Sequence, residues 1–358
     1  SEPSPEPTPE PSPEPSPVPT PSGPWYQAAL DFACDHRILL GDPSGNMMPN
    51  DNATRAQMAA MLVRVFGCTA GKDIAHLTDV STTSWYYSEL STAAQMNIFN
   101  GYGDGTMGPN RSITRQEAMI VIARAFAVPD GTAADIQAFR DASSVGSWAV
   151  AKVGGLVKAG IVNGDNGSLH PTASITRAEI AQMLYNLGLQ FCSDAAALPA
   201  SGRVIYTGAA PLTADAFTGT LYLGGPAGRD LGGMNITGTL VVRTDPNGTV
   251  TVGGTVDTLA VAAEDTTVAG AGRAALVRLL ARGCTVTLAA DKTASEYDPM
   301  LRGVGKVVTD PVPALSPECR AVDLYVTYRY FPSEYQTTPG EATLIWYVDG
   351  VQQRTRHY

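Results

Sequence analysis

A chain of 358 residues is too long for one ordinary core, and enough remains after its proline-laden head for two or three domains. With a net charge of −10 and only 16% charged residues it has no broad basic face for a polyphosphate backbone, which argues against nucleic acid as a partner. Its apolar runs are short and interrupted by charge, as Arg64 interrupts 58–70 and Arg278 and Arg282 interrupt 274–283, so no membrane span is expected.

Residues 1–24 hold 11 of the 26 prolines, four glutamates and no Lys or Arg. Such a segment cannot bury apolar surface and is expected to be a stiff polyproline II spacer. The first residue is Ser and the last seven carry no terminal signal, so a fragment or processed form is expected. Five widely spaced cysteines, with no Cys-x-x-Cys, point to neither a disulfide framework nor a zinc site; Cys34 and Cys68 could pair or be buried thiols.

Three copies of one unit follow, at residues 25–67, 85–127 and 148–188. Each opens on a tryptophan (Trp25, Trp85, Trp148) with a helix-like stretch, passes a Gly/Asp/Asn turn and reaches a Thr-Arg pair, the Arg falling 30, 30 and 29 residues after the Trp. The sequences Thr54-Arg55-Ala56-Gln57, Thr114-Arg115-Gln116-Glu117 and Thr176-Arg177-Ala178-Glu179 are capping boxes, in which Thr caps the helix and Gln or Glu reaches back to the Thr amide. Apolar residues at helical spacing (Met58, Met61, Leu62, Val65 in the first copy) predict a core-facing stripe, and Gly67 and Gly188 supply left-handed helix ends.

The arginine of each box does nothing for capping and sits at the positive end of the helix dipole. Helix amides plus a guanidinium would suit a carboxylate or phosphate, which makes Arg55, Arg115 and Arg177 candidate ligand residues; pairing with neighbouring carboxylates is the other reading. Trp25, Trp85 and Trp148 suit either half-buried packing or a platform for a sugar ring. The turn Gly101-Tyr102-Gly103-Asp104-Gly105-Thr106 and its counterparts lack the alternating oxygens and closing Glu of a calcium loop, so they read as tight turns and no metal or cofactor is expected.

Together the Trp, the segment Gly-Tyr-Gly-Asp-Gly-Thr-Met-Gly-Pro, the Thr-Arg-Gln-Glu box, and Thr78-Asp79-Val80 and Phe139-Arg140-Asp141-Ala142 ahead of the second and third copies resemble tandem S-layer homology modules. The resemblance covers roughly residues 24–190, with modules at 25–72, 73–133 and 134–190. It implies a pseudo-threefold helical prism on a secreted, wall-associated bacterial protein, binding secondary cell wall polysaccharide, often at pyruvylated sugars, in grooves between modules. By the same resemblance the box arginines meet the ligand, supported by the tryptophans and by Gly101, Gly103, Asp104, Asp79 and Asp141. The first module departs from the pattern, with Gln57 in its box and no leading Asp-Val, and the third has a shorter turn and Ala149 after its Trp, so equivalent grooves are not expected.

After residue 201 the pattern alternates, with short runs at 221–223, 240–243, 250–252, 259–261, 266–268 and 286–288. Their spacing near ten residues predicts an all-β domain over 201–298, either a stacked β-solenoid or a small sandwich. Residues 311–358 read as two strands resembling a partial immunoglobulin-like segment. With no His-Glu-x-x-His, no Gly-x-Ser-x-Gly and only Glu296-Tyr297-Asp298 as a close acidic pair, no catalytic site is expected. The leading reading is an anchor with β-domains for display or for self-association in a surface layer; a wall-anchored glycoside hydrolase or an adhesin whose active part lies elsewhere are the alternatives.

Overall fold

The computed structural model describes residues 23–42 and 44–289, with five short backbone strands beyond. Each repeat contributes two main helices: α1 (Gln27–Asp35) and α2 (Arg55–Phe66), α3 (Tyr87–Gln95) and α4 (Arg115–Ala125), and, after the short α5 (Ala133–Ile136), α6 (Val150–Lys158) and α7 (Arg177–Asn186). All three capping boxes form: Thr54, Thr114 and Thr176 accept from the third helical amide, while the Gln57, Glu117 and Glu179 side chains accept from the Thr amides. Gly67 ends α2 at φ 64°, Gly188 follows α7 at φ 62°, and Ala127 takes the left-handed place in the second repeat at φ 51°.

The repeats close on one another cyclically. Just before each box, the amide of Ala53 donates to the Ile175 carbonyl (2.9 Å), Ile175 to Ile113 (3.0 Å) and Ile113 to Ala53 (3.0 Å), a ring of three fully buried residues about a pseudo-threefold axis. Flanking bridges join Asn52 to Thr176, Thr54 to Ser112 and Thr114 to Ser174. A backbone ring in a dry centre is tolerated because every amide in it has an acceptor. The expected helical prism is thus present.

From residue 189 the chain winds into a parallel β-solenoid, and the sandwich alternative is not supported. One face stacks β1 (Leu189–Cys192), β2 (Ser201–Tyr206), β3 (Ala216–Leu223), β5 (Asn235–Val242), β7 (Thr255–Val261) and the second half of β8 (Thr267–Leu279); the other carries β4 (Arg229–Asp230), β6 (Thr249–Thr251), the first half of β8 and β9 (Thr285–Ala289). Aligned residues Thr220, Thr239 and Thr258 lie 19 apart, so the spacing near ten seen in the sequence is half a coil. Stacked coils also account for glycines: a Cβ on Gly238, at φ 124°, would come within 2.1 Å of the Gly219 carbonyl oxygen.

The short apolar triplets of these strands are buried on both sides, as parallel strands covered on two faces require. Val204, Leu221, Leu240, Leu259 and Val277 fill the solenoid interior, whereas the next residue in each strand (Ile205, Tyr222, Val241, Ala260 and Arg278) faces the prism. The prism therefore docks along a ladder of five coils, not on one end. Arriving there are the carboxyl ends of the prism helices, whose carbonyls lack intrahelical donors. The Gly225 amide takes Phe66 O; Arg243 donates to Met96 O and Arg124 O, both at 2.7 Å; Tyr222 donates to Phe126 O; Arg278 to Ala127 O; Arg203 to Leu187 O. Three of these donors are cations at helix carboxyl ends, where the dipole favours them. At the rim Asp245 accepts from the Thr69 and Ala70 amides, and Lys72 pairs with Glu264 at 3.0 Å.

Beyond β9 the backbone continues through β10 (Ala294–Tyr297), β11 (Lys306–Thr309), β12 (Val322–Tyr328), β13 (Ala342–Val348) and β14 (Val351–His357). β10 pairs parallel with β8 and β11 with β9; β12 pairs antiparallel with β11, β13 with β12 and β14 with β13. The immunoglobulin-like reading is corrected here: these strands extend the solenoid sheet, and no second sheet faces them among the described residues. Side chains of the Glu296 cluster lie outside the described residues, as does the polyproline head over 1–22. Cys34, Cys68, Cys192 and Cys284 are free thiols; Cys68 donates to Arg243 O, and burial pushes it up to about 12.

Candidate functional site

Taking the box helices first, their amino ends are already occupied. The Arg55 and Ala56 amides donate to Arg111 O and Pro109 O, those of Arg115 and Gln116 to Ala173 O and Pro171 O, and those of Arg177 and Ala178 to Asp51 O and Pro49 O. Each helix start is thus satisfied by the turn of the next repeat in the cycle. The expectation that these amides hold an anion fails, because no free donors remain to point at one.

The arginines run across the same boundaries and are buried. Arg55 donates Nε to Met107 O and Nη2 to Asn100 O; Arg177 does the same to Met47 O and Leu40 O; Arg115 donates Nε to Leu169 O and pairs through Nη1 with Glu179. Every arginine staples its own module to the turn of the next, and Arg115 and Arg177 also line clefts at their boundaries. Asp79 and Asp141 are positioning residues: Asp79 accepts from the Met107 and Gly108 amides and Asp141 from the Leu169 and His170 amides, all at 2.7–2.8 Å. Burial raises the Asp141 carboxyl, yet the Leu169 and His170 amides outweigh it and hold it below the usual carboxylate range. A depressed carboxylate stabilises the fold above its unfolded value of about 3.9 and loses that contribution as pH falls through the folded value. The Asp141→Asn variant is accordingly expected to narrow the gap to wild type in thermal melts below about pH 4; a constant gap from pH 7 to pH 3 would rule the contribution out.

The turn holding Gly101, Gly103 and Asp104 is tight: Asp104 accepts from the Thr106 amide and hydroxyl, and a Cβ on Gly101 would lie 2.6 Å from Thr106 O. Trp25, Trp85 and Trp148, half-buried packing or sugar platforms on sequence grounds, are 65%, 58% and 58% exposed, so packing does not explain them.

Two open clefts at module boundaries bring these residues together. One, of about 440 Å³, is lined by Trp25 of the first module, Arg115 of the second, and the third module's Asn163-Gly164-Asp165 turn with Glu179, Gln182 and Asn186 of α7. Its counterpart, of about 510 Å³, has Trp85 of the second module, Arg177 of the third, and the first module's Leu40-Gly41-Asp42 turn with Gln57 and Arg64 of α2. The same cyclic order assigns Arg55 and Trp148 to the third boundary. There Tyr102 lies across the guanidinium, its ring centre 4.4 Å from the Arg55 Cζ and 4.6 Å from that of Arg111, and its hydroxyl approaches Glu117. The expected non-equivalence of the grooves is visible in this tyrosine. Reasoning from sequence overlooked Tyr102, Arg64, Gln182 and Asn186; a signal existed in the helical stripe Gln57, Ala60, Arg64 and its counterpart Glu179, Gln182, Asn186.

Among the described residues no group of three or more His, Cys, Asp or Glu is placed to hold a metal, and no helix is long and apolar enough to cross a membrane. The S-layer homology domain family matches at residues 20–59, 76–119 and 138–181. The chain carries three S-layer homology domains. Similar curated proteins include a surface-layer 125 kDa protein of Lysinibacillus sphaericus (31% identical, covering 43% of this chain and 13% of the relative) and a cellulosome-anchoring protein of Acetivibrio thermocellus (31%, 41% and 34%). An amylopullulanase of Thermoanaerobacterium thermosulfurigenes is also similar (29% identical, 46% and 9%). The chain thus spans about a tenth to a third of the length of these relatives, and the enzyme is similar only through the S-layer homology region. Domains of this family are anchoring modules, and they mark the protein as extracellular and associated with the cell wall.

Proposed function

We propose that the three S-layer homology domains anchor this protein non-covalently to the bacterial wall by binding secondary cell wall polysaccharide in the clefts between modules, with the β-solenoid for display or for contact with other copies. The observation that carries this reading is an exposed indole beside a boundary arginine at two separate clefts. An indole face suits the apolar side of a sugar ring, and a guanidinium suits a carboxylate such as a pyruvyl group. No acid, base or nucleophile is asked of any residue.

Co-sedimentation of the whole chain with purified sacculi, and its loss once the polysaccharide is stripped, is the deciding result; retained binding to bare peptidoglycan would sink the polysaccharide claim. Replacing Trp25, Trp85 and Trp148 together by alanine is expected to weaken co-sedimentation at least tenfold while changing stability by no more than about 0.5 kcal/mol per exposed site. Unchanged sedimentation would remove the indoles from the site. The similarity to an amylopullulanase keeps a second reading, in which the chain anchors a longer wall-bound glycosidase. An activity screen on polysaccharides with the full native gene product separates the two.

A further inference from the structure

The third residue of each capping box has two jobs. Its side chain accepts from the Thr amide, and it also faces the boundary where the arginine of the preceding module emerges. Glu179 meets Arg115 in an ion pair, and Glu117 lies 4.0 Å from Arg55. In the first module this residue is Gln57, which closes the box equally well, accepting from Thr54 at 3.0 Å, but carries no charge.

The Arg177 guanidinium is consequently bound to the Met47 and Leu40 carbonyls only, with no carboxylate oxygen within 4.0 Å among the described residues. Arg64 lines the same cleft, donating to Ile38 O, and has no carboxylate within 4.0 Å among the described residues, the Glu89 charge acting on it from farther away as Asp51 acts on Arg177. The one acidic side chain on that lining, Asp42, spends its oxygens on the Ser44 and Asn46 amides and the Asn46 side chain. Two guanidiniums and one carboxylate thus line the Trp85 cleft, whereas one guanidinium and two carboxylates, Glu179 and Asp165, line the Trp25 cleft.

We propose that the two open clefts differ in charge selectivity and that Gln57 sets the difference: the Trp85 cleft takes an acidic sugar and the Trp25 cleft a neutral one. A guanidinium with no carboxylate in contact gains a charge-assisted hydrogen bond from an incoming carboxylate, while a guanidinium already paired with Glu179 would have to exchange one carboxylate for another. The assignment rests on the wall-polysaccharide reading above.

The test uses the whole chain with Trp346 and either Trp25 and Trp148, or Trp85 and Trp148, changed to phenylalanine, so that fluorescence reports one cleft at a time. The probes are wall polysaccharide isolated from the producing bacterium and the same polymer after carbodiimide activation and borohydride reduction of its carboxylates to alcohols. The Trp85 response is expected to weaken at least tenfold with the reduced polymer, and equally with Gln57→Glu, which keeps the capping box; the Trp25 response is expected to change less than twofold. A Trp85 response that survives Gln57→Glu at unaltered melting temperature, or that is as strong with the reduced polymer, overturns the assignment and leaves the anchoring reading standing. Silence of both indoles with both polymers removes the anchoring reading and the assignment with it.

Discussion

Arg243→Ala is expected to lower the unfolding free energy by about 2–4 kcal/mol, since it leaves the buried Met96 carbonyl without a donor, at about 1–3 kcal/mol, and removes a charge-assisted hydrogen bond from Arg124 O, which keeps the Ala127 amide. Arg243 is 3% exposed, its guanidinium lies over the Phe66 ring, and it reaches Met96 O and Arg124 O, the carboxyl ends of two helices from the second module. Burial pulls it down to about 10, so it remains charged at neutral pH. Chemical denaturation followed by circular dichroism checks the value. Arg243→Met keeps the aliphatic stem over Phe66 and isolates the loss of the donors; equal midpoints for Arg243→Met and wild type would show that the donors contribute nothing to docking.

A second large effect is expected at Arg115. Truncation to alanine deprives Leu169 O of its donor and leaves the Glu179 carboxylate without its partner at a half-buried boundary. Together these should cost about 2–4 kcal/mol of prism stability, using about 1–3 kcal/mol for an orphaned acceptor and similar for the charged group. Calorimetry on the whole chain measures it, and an unchanged prism transition would dismiss the staple. The consequence for binding studies is direct: an arginine variant that loses wall binding has also loosened its boundary. The tryptophans, each more than half exposed, are the cleaner probes of the ligand.

The local devices were readable from residue order. Thr at the helix start with Gln or Glu three places on forms a capping box within four residues, and glycine at a helix end declares its own dihedral. What residue order could not show was how distant pieces exchange partners. Arg55 finds its carbonyls 45 and 52 residues away and Arg177 at 130 and 137, so a repeated arginine reads equally as ligand residue or staple until the cyclic order is known. In the β-half, the spacing near ten was visible and its meaning was not, because alternate runs belong to opposite faces of one coil. The triplet Leu221-Tyr222-Leu223 marked a strand without disclosing that Tyr222 faces helices nearly a hundred residues earlier.

Docking along five coils has a mechanical consequence. An anchor joined to its cargo by a flexible tether transmits tension but no torque, and the cargo swings freely above the wall. Here the helices and the coils meet along a ladder tied by Arg203, Arg243 and Arg278, so bending one against the other means tearing several helix carboxyl ends from their donors at once. A grip on the prism therefore fixes not only where the solenoid sits but which way it points, and a force pulling on the coils is felt in the prism as leverage.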